Sequence, residues 1–459
     1  MVVRASIPFL AAGLLTVALA GCAATDGLQD ALEAISPFGE KEKILTGERK
    51  GLFEGADPAD GALKERKPVS VPASRSNADW PQPGGTTTNN PGHLALRAGG
   101  AGRAWRTKVA SAGKSSSYTA FLDENIRMSS RPIVYQGRVI VYDPNGTVSS
   151  NSLANGGRVW RTSLRPEGEA DPAPGGGVAA DGGLIYAATG YGAITALHPA
   201  NGKPVWTTKL EAPARSAPTA AGGNVYVVTQ NNVVMAVKGD DGTQLWAYRG
   251  IPETAGLMAT ASPAVVGSTV VVPFSSGEVV AIDVKSGEPE WADTPTRSYR
   301  TSAVAGLSDV SASPVIDGRT VYATGIGGRT IAIDLSSGNR IWEQNVGGAH
   351  TPALAGSALY LVDLDDRLVA LSRKDGSVMW ATQLPVVREK RKSTHWAGPV
   401  LASNALWLVS SDGKLIQVGA ATGNVMSTRK IGDPSFISPI VASGKLLVLS
   451  GSGTLTALN

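Results

Sequence analysis

Few of the 459 residues carry side chains that do chemistry, and those few do not converge. The histidines are His93, His198, His350 and His395, spread along the chain, whereas acid–base catalysis needs groups within hydrogen-bond reach of one reacting atom. Asp363, Asp365 and Asp366 form the densest carboxylate cluster. They fall in a turn between apolar runs, where solvated acids are commonplace. His198 fills a position held elsewhere by Asp283 and Asp334 and is expected to serve turn geometry. Gly175-Gly176-Gly177 lacks the spacing of a phosphate-binding loop, and no Ser-His-Asp motif stands out. The single cysteine, Cys22, rules out an intramolecular disulfide and any cysteine-based metal cluster. The reading is therefore of a protein with no catalytic residues, no cofactor site and no metal centre.

Composition agrees with a structural rather than a catalytic design. Lys and Arg number 42 against 38 Asp and Glu, a net charge of +4. That field is weak, and no basic stripe of the kind nucleic-acid binders carry is present. Gly (55) and Pro (28) make up about 18% of the chain, against roughly 12% in average usage. Charged residues are 17%, below the usual roughly 25%. With 42% hydrophobic residues the chain is too apolar for disorder, and this balance suits a turn-rich β protein.

The first residues form an export signal. Arg4 precedes an apolar run of 15 residues from Ile7 to Gly21, short of the roughly 20 needed to span a bilayer but suited to a signal-peptide core. The run ends in Leu19-Ala20-Gly21-Cys22, which resembles a bacterial lipobox. That resemblance implies lipidation of Cys22, and Ala23 in place of an aspartate implies delivery to the outer membrane, facing the periplasm. Several acyl chains on one residue anchor stably where one would be marginal. Residues 1–21 are thus read as signal peptide and 22–75 as a lipidated N-terminus and flexible linker, with charge runs such as Lys64-Glu65-Arg66-Lys67. Residues 76–459 are the folded body.

That body repeats. A Gly is followed four residues later by a Trp at Gly156/Trp160, Gly202/Trp206, Gly242/Trp246, Gly287/Trp291, Gly338/Trp342 and Gly376/Trp380, with degenerate copies at Ala101/Trp105 and Gly423/Ser427. Seven of the ten tryptophans occupy this slot, and successive slots lie 38–55 residues apart. Upstream of each, a Pro (Gly177 once) opens an apolar run ending in a Gly turn, as in Ser313-Pro314-Val315-Ile316-Asp317-Gly318. Short apolar runs between Gly, Asn, Asp and Ser turns argue strands, and four per repeat is the blade of a β-propeller. The sequence predicts an all-β, eight-bladed propeller of four-stranded antiparallel blades. Its last blade pairs the strand near Trp105 with the C-terminal Thr454–Asn459, which removes open edges. The Trp slots are expected to wedge blades together, and Ser427 to leave its blade less tightly packed.

The unit from Ala281 to Trp291 resembles the repeat of pyrroloquinoline-quinone enzymes, which also occurs in propellers without a cofactor. Signal, lipobox, linker and eight blades together resemble the BamB family, lipoprotein subunits of the outer-membrane β-barrel assembly machinery. Trp246-Ala247-Tyr248-Arg249-Gly250 and Leu307-Ser308-Asp309-Val310-Ser311 resemble two segments through which that family contacts BamA. The resemblance implies that Arg249, Asp309, Tyr248 and Trp246 bind the periplasmic POTRA domains of BamA. Ser311 stands where the family has a second acid. It further implies association with other subunits of the complex and with unfolded outer-membrane proteins, and a lipid anchor in the outer membrane. The alternatives are a quinone-dependent periplasmic oxidoreductase and an envelope polysaccharide-binding propeller. Independently of the family, the connectors from each Trp slot to the next Pro emerge on one face of the ring. Trp105 to Pro132 and Trp291 to Pro314 are the longest, and long loops on a rigid scaffold are where binding usually lives. One connector carries the basic run Arg388, Lys390, Arg391, Lys392, read as a solvated loop.

Overall fold

A computed structural model describes residues 57–97, 102–114, 125–252, 261–295, 310–389 and 392–459. Cys22, Leu307, Ser308 and Asp309 lie outside the described residues.

Eight four-stranded antiparallel sheets carry the repeat. Blade 5 is typical, with strands Val315–Asp317, Thr320–Gly325, Arg329–Asp334 and Arg340–Gln344 running from the centre outward. Blades 1 to 7 begin at Ile133, Gly176, Thr219, Ala264, Val315, Ala353 and Trp396. Blade 8 takes its three inner strands from Ile440–Ala442, Lys445–Leu449 and Thr454–Leu458, and its outer strand from Arg103–Lys108. Those last two pair antiparallel, with Trp105 opposite Ala457. The eight-bladed closure read from the repeat is the architecture observed.

The Gly-Trp slot has a local physical cause. The Gly at each of seven slots has φ between 70° and 75°, a left-handed conformation that strongly favours glycine. A Cβ there would also lie only 2.4–2.7 Å from the slot of the preceding blade, against the Trp ring or the Thr beside it. Each Trp therefore lies flat on the next blade's turn. Six of the indoles donate a hydrogen bond across the seam, for example Trp160 to Pro199 O (2.8 Å), Trp246 to Val284 O (2.8 Å) and Trp342 to Arg373 O (2.9 Å). The buried Trp380 N–H has no such acceptor. In blades 2, 3, 5 and 6 the Trp pairs with an alanine, which in turn faces a Tyr, as in Tyr322–Ala332–Trp342. The two rings lean together over the alanine, with centroids 5.9 Å apart.

Blade 7 breaks this pattern in a coordinated way. Its row reads Trp407–Gln417–Ser427, so the large ring has moved to the second strand, where it is buried. Its outer strand, Val425–Lys430, is exposed along almost its whole length. The reason lies across the seam. In blade 8 the third and outer strands come from distant parts of the sequence, so no Gly turn joins them for a Trp to cover.

One expectation is overturned. Residues 57–75 do not behave as a flexible linker. Helix α1 (Pro58–Lys64), capped by Asp57, buries Ala59 and Ala62. Arg367 of blade 6, 5% exposed, reaches Asp57 (2.7 Å), Asp60 (2.6 Å), Asp363 (2.7 Å) and Asp365 (3.2 Å). Asp363 is thus buried against Arg367 rather than solvated, while Asp365 of the same turn stays half exposed.

The chain beyond α1 forms a strap over the face that carries the Gly turns, and it bonds to every blade. Trp80 exchanges two backbone hydrogen bonds with Val134 of blade 1. The Gln82 amide donates to Ala180 O and Ala220 O, both 2.9 Å, and accepts from Ala220 N, joining blades 2 and 3. Thr87 and Thr88 carbonyls accept from Val265 and Ile316 of blades 4 and 5. Lys67, Leu94 and Asn77 make backbone bonds to Met379, Ser403 and Ser443 of blades 6, 7 and 8. His93 is fixed by Pro72 O on Nδ1 and by Asn404 N–H on Nε2, which assigns the neutral tautomer protonated on Nδ1.

Candidate functional site

The opposite face carries the connectors. Arg249 ends the outer strand of blade 3, Gln244–Arg249, opposite Val233, so its side chain emerges where the connector to blade 4 begins. About half exposed, it forms an ion pair with Glu211 of the preceding connector at 2.7 Å. Pairs this exposed are worth about 0–1 kcal/mol, so Arg249 can exchange Glu211 for another anion at little cost. Tyr248 is half-buried against Phe274, with centroids 6.1 Å apart. Burial, and then the Glu278 carboxylate, push its phenol above the usual range.

Behind these residues lies a rigid support. Asn232, buried and at φ 57°, donates to Ile251 O (2.8 Å), while its Oδ1 accepts from Ser275 Oγ (2.9 Å). Glu278 accepts from Ile251 N (2.9 Å). Gly250 sits so close to Phe274 that a Cβ would meet the ring at 3.0 Å. The result is a pinned turn that presents Ile251, 57% exposed, beside the Arg249–Glu211 pair. Glu211, Asn232, Ile251 and Glu278 were not singled out from the sequence. The turn preference of Asn231-Asn232 was the available signal.

The remaining expected contact residues separate. Trp246 is 9% exposed and committed to the seam with blade 4, so it is withdrawn from the surface. The need for a flat ring on Gly287 overrides any contact role. Asp309 lies outside the described residues. Ser311, 8% exposed, is buried with its hydroxyl, and so it does not stand in for a surface acid. Of the basic run, Arg388 and Lys392 fall on a short hairpin, Arg388–Glu389 with Lys392–Ser393, and Lys390 and Arg391 lie outside the described residues. Farther round the same face a groove of about 480 Å³ is lined by Lys108, Lys114, Arg127 and Phe436 among others, and the Arg127 guanidinium lies 4.5 Å from the Phe436 ring centre.

His198 accepts from Ala200 N (3.3 Å), as Asp283 accepts from Lys285 N and Asp334 from Ser336 N. It holds a turn, as its position implied. Among the described residues no three His, Cys, Asp or Glu side chains form a group able to hold a metal ion.

A family model described as outer membrane protein assembly factor BamB matches residues 144–382, just over half of the chain. The chain is similar to the curated BamB of Yersinia pestis, with 26% identity over 71% of this chain and 83% of that protein. To BamB of Escherichia coli K12 it is 27% identical over 73% and 85%. Among solved structures it resembles BamB from Moraxella catarrhalis, with a TM-score of 0.62 and 19% identity over 71% of this chain and 94% of that one. A europium-containing methanol dehydrogenase gives a TM-score of 0.64 at 14% identity, covering 82% and 90%. At such identities the structural likenesses speak for the propeller alone. The chain belongs to the family of the outer membrane protein assembly factor BamB.

Proposed function

We propose that this protein is a non-catalytic scaffold subunit of the outer-membrane protein assembly complex, tethered through a lipidated Cys22 on the periplasmic face. Its connector face around Arg249 binds the POTRA domains of BamA and assists β-barrel proteins to fold and insert. The observation that carries this reading is the patch itself: an exposed guanidinium held by a weak surface pair, beside the half-buried Tyr248 and the exposed Ile251, all on a pinned turn. Arg and Tyr are favoured hot-spot residues, and rigid presentation reduces the entropy cost of docking. The relatives, named as assembly factors, favour the same reading, in which Asp309 supplies the complementary charge.

The test is affinity capture from gently solubilised envelopes, with co-purifying proteins identified by mass spectrometry. Recovery of a POTRA-bearing barrel is the expected result, and its consistent absence would count against the assignment. For the anchor, Cys22→Ser is expected to abolish incorporation of labelled fatty acid. Full labelling of that variant would exclude Cys22 as the acceptor.

A further inference from the structure

The Arg249–Glu211 pair joins neighbouring connectors 38 residues apart, and the backbone on both sides of it is fixed. Glu211 follows Leu210, which is 3% exposed and donates its N–H to Gly192 O (2.9 Å). Two residues beyond Glu211, Pro213 O accepts from Gln230 N (2.9 Å), and the buried Ala214 donates to Thr189 O (3.1 Å). On the other side Gly250 N donates to Asn232 O (2.9 Å). The fold itself delivers the carboxylate to the guanidinium.

Stability does not require this pair. The seam between blades 2 and 3 is already closed by Trp206, whose indole donates to Gly239 O (2.8 Å), and by Thr208 on Gly242 O (2.7 Å). The Gln82 amide of the strap ties the same two blades. An ion pair this exposed adds little to those bonds. Its contact is also incomplete. One Nη of Arg249 meets one Oε of Glu211 at 2.7 Å, and among the described residues the guanidinium makes no other hydrogen bond. An arginine pairs more strongly when two parallel N–H groups meet both oxygens of an anion. We propose that Glu211 is a built-in competitor, a role that rests on the patch around Arg249 being the interface. It holds Arg249 in the free protein, yields it to a carboxylate of the partner, and keeps the affinity of the patch below its limit. A neutral group gains nothing from the exchange, so the same carboxylate selects for an acidic partner surface.

The test compares wild type, Glu211→Gln and Arg249→Ala, each as the whole mature chain, in titrations with BamA POTRA domains at low and high salt. Glu211→Gln is expected to bind about two- to fivefold tighter, the range that loss of an exposed pair allows. The gain should shrink as salt rises, which a purely structural effect of the substitution would not do. Affinity equal to or below wild type in Glu211→Gln, with Arg249→Ala weakened, would overturn the competition and leave the interface in place. Wild-type affinity in Arg249→Ala would remove the interface, and the competition with it. A second measurement needs no partner. Phenylglyoxal modifies exposed guanidinium groups, and peptide mapping follows Arg249 alone. Its modification should be at least about twofold faster in Glu211→Gln than in wild type, and equal rates would overturn the proposal.

Discussion

The two faces of this ring are built to opposite purposes. The face with the Gly turns is closed: the strap bonds to all eight blades, and seven slots interlock Trp with Gly. The connector face presents, among the described residues, an exposed ion pair and an exposed isoleucine. On the closed face the backbone bonds of the strap are made to the blades themselves. On the connector face Arg249 is held by one weak pair, so a partner can claim it without breaking the fold. In the proposed reading, stability and recognition are assigned to different surfaces.

Breaking the closed face gives the largest effects. Trp342→Ala removes a buried ring from a seam, and should cost about 3–5 kcal/mol in denaturant unfolding, while Ser427→Ala at the equivalent position of blade 7 should stay within about 0.5 kcal/mol. Equal losses at both positions would show that the seams do not differ. Gly338→Ala attacks the same seam from the other side and should be comparably destabilising, since it combines a φ of 71° with a clash against Trp291.

The strap comes next. Arg367→Met leaves Asp363 buried without its guanidinium. Because Asp60 and Asp365 are largely solvated, the cost should fall near about 3 kcal/mol rather than higher. Proteolysis near α1 should accelerate in this variant before the ring itself unfolds. Unchanged cleavage would mean that the ion-pair network does not hold the helix.

A pH effect of similar size is expected at the centre. His350 is pushed down to about 4, by burial first and then by Arg131 and His395. Its folded pKa lies below its unfolded one, so the unfolded chain binds the extra proton. Stability from this group is therefore full above about pH 6.5 and is lost as pH falls toward 4, by about 3 kcal/mol in all. Asp143 and Asp363 are raised by burial and act in the opposite sense. Comparing wild type with His350→Gln isolates the histidine: the variant's stability should fall less steeply between pH 6.5 and 4. Identical slopes would remove His350 from the account.

What was legible in the sequence follows from what is local. A slot that demands both a left-handed Gly and a Trp four residues later recurs in every well-formed copy, so blade number and closure could be counted. The strap could not be read this way. Gln82 bonds to residues about 100 and 140 positions away, and Arg367 finds Asp57 more than 300 positions back. Such pairings exist only once the ring has closed, so a stretch that read as a linker as far as residue 75 became structure. At the candidate site, the exposed position of Arg249 was legible because a strand end points outward by topology. Trp246, three residues earlier, was not separable from it by sequence alone, since both the seam and the contact surface could use an aromatic ring there.

The most direct test of the central claim is a titration of isolated BamA POTRA domains with folded wild type, Arg249→Ala and Asp309→Ala. Removing Arg249 should weaken binding at least tenfold, about 1.4 kcal/mol, and removing Asp309 somewhat less. The unfolding midpoints should be unchanged, because the Arg249–Glu211 pair is exposed. Wild-type affinity in both variants would contradict the account and move the contact surface away from this patch.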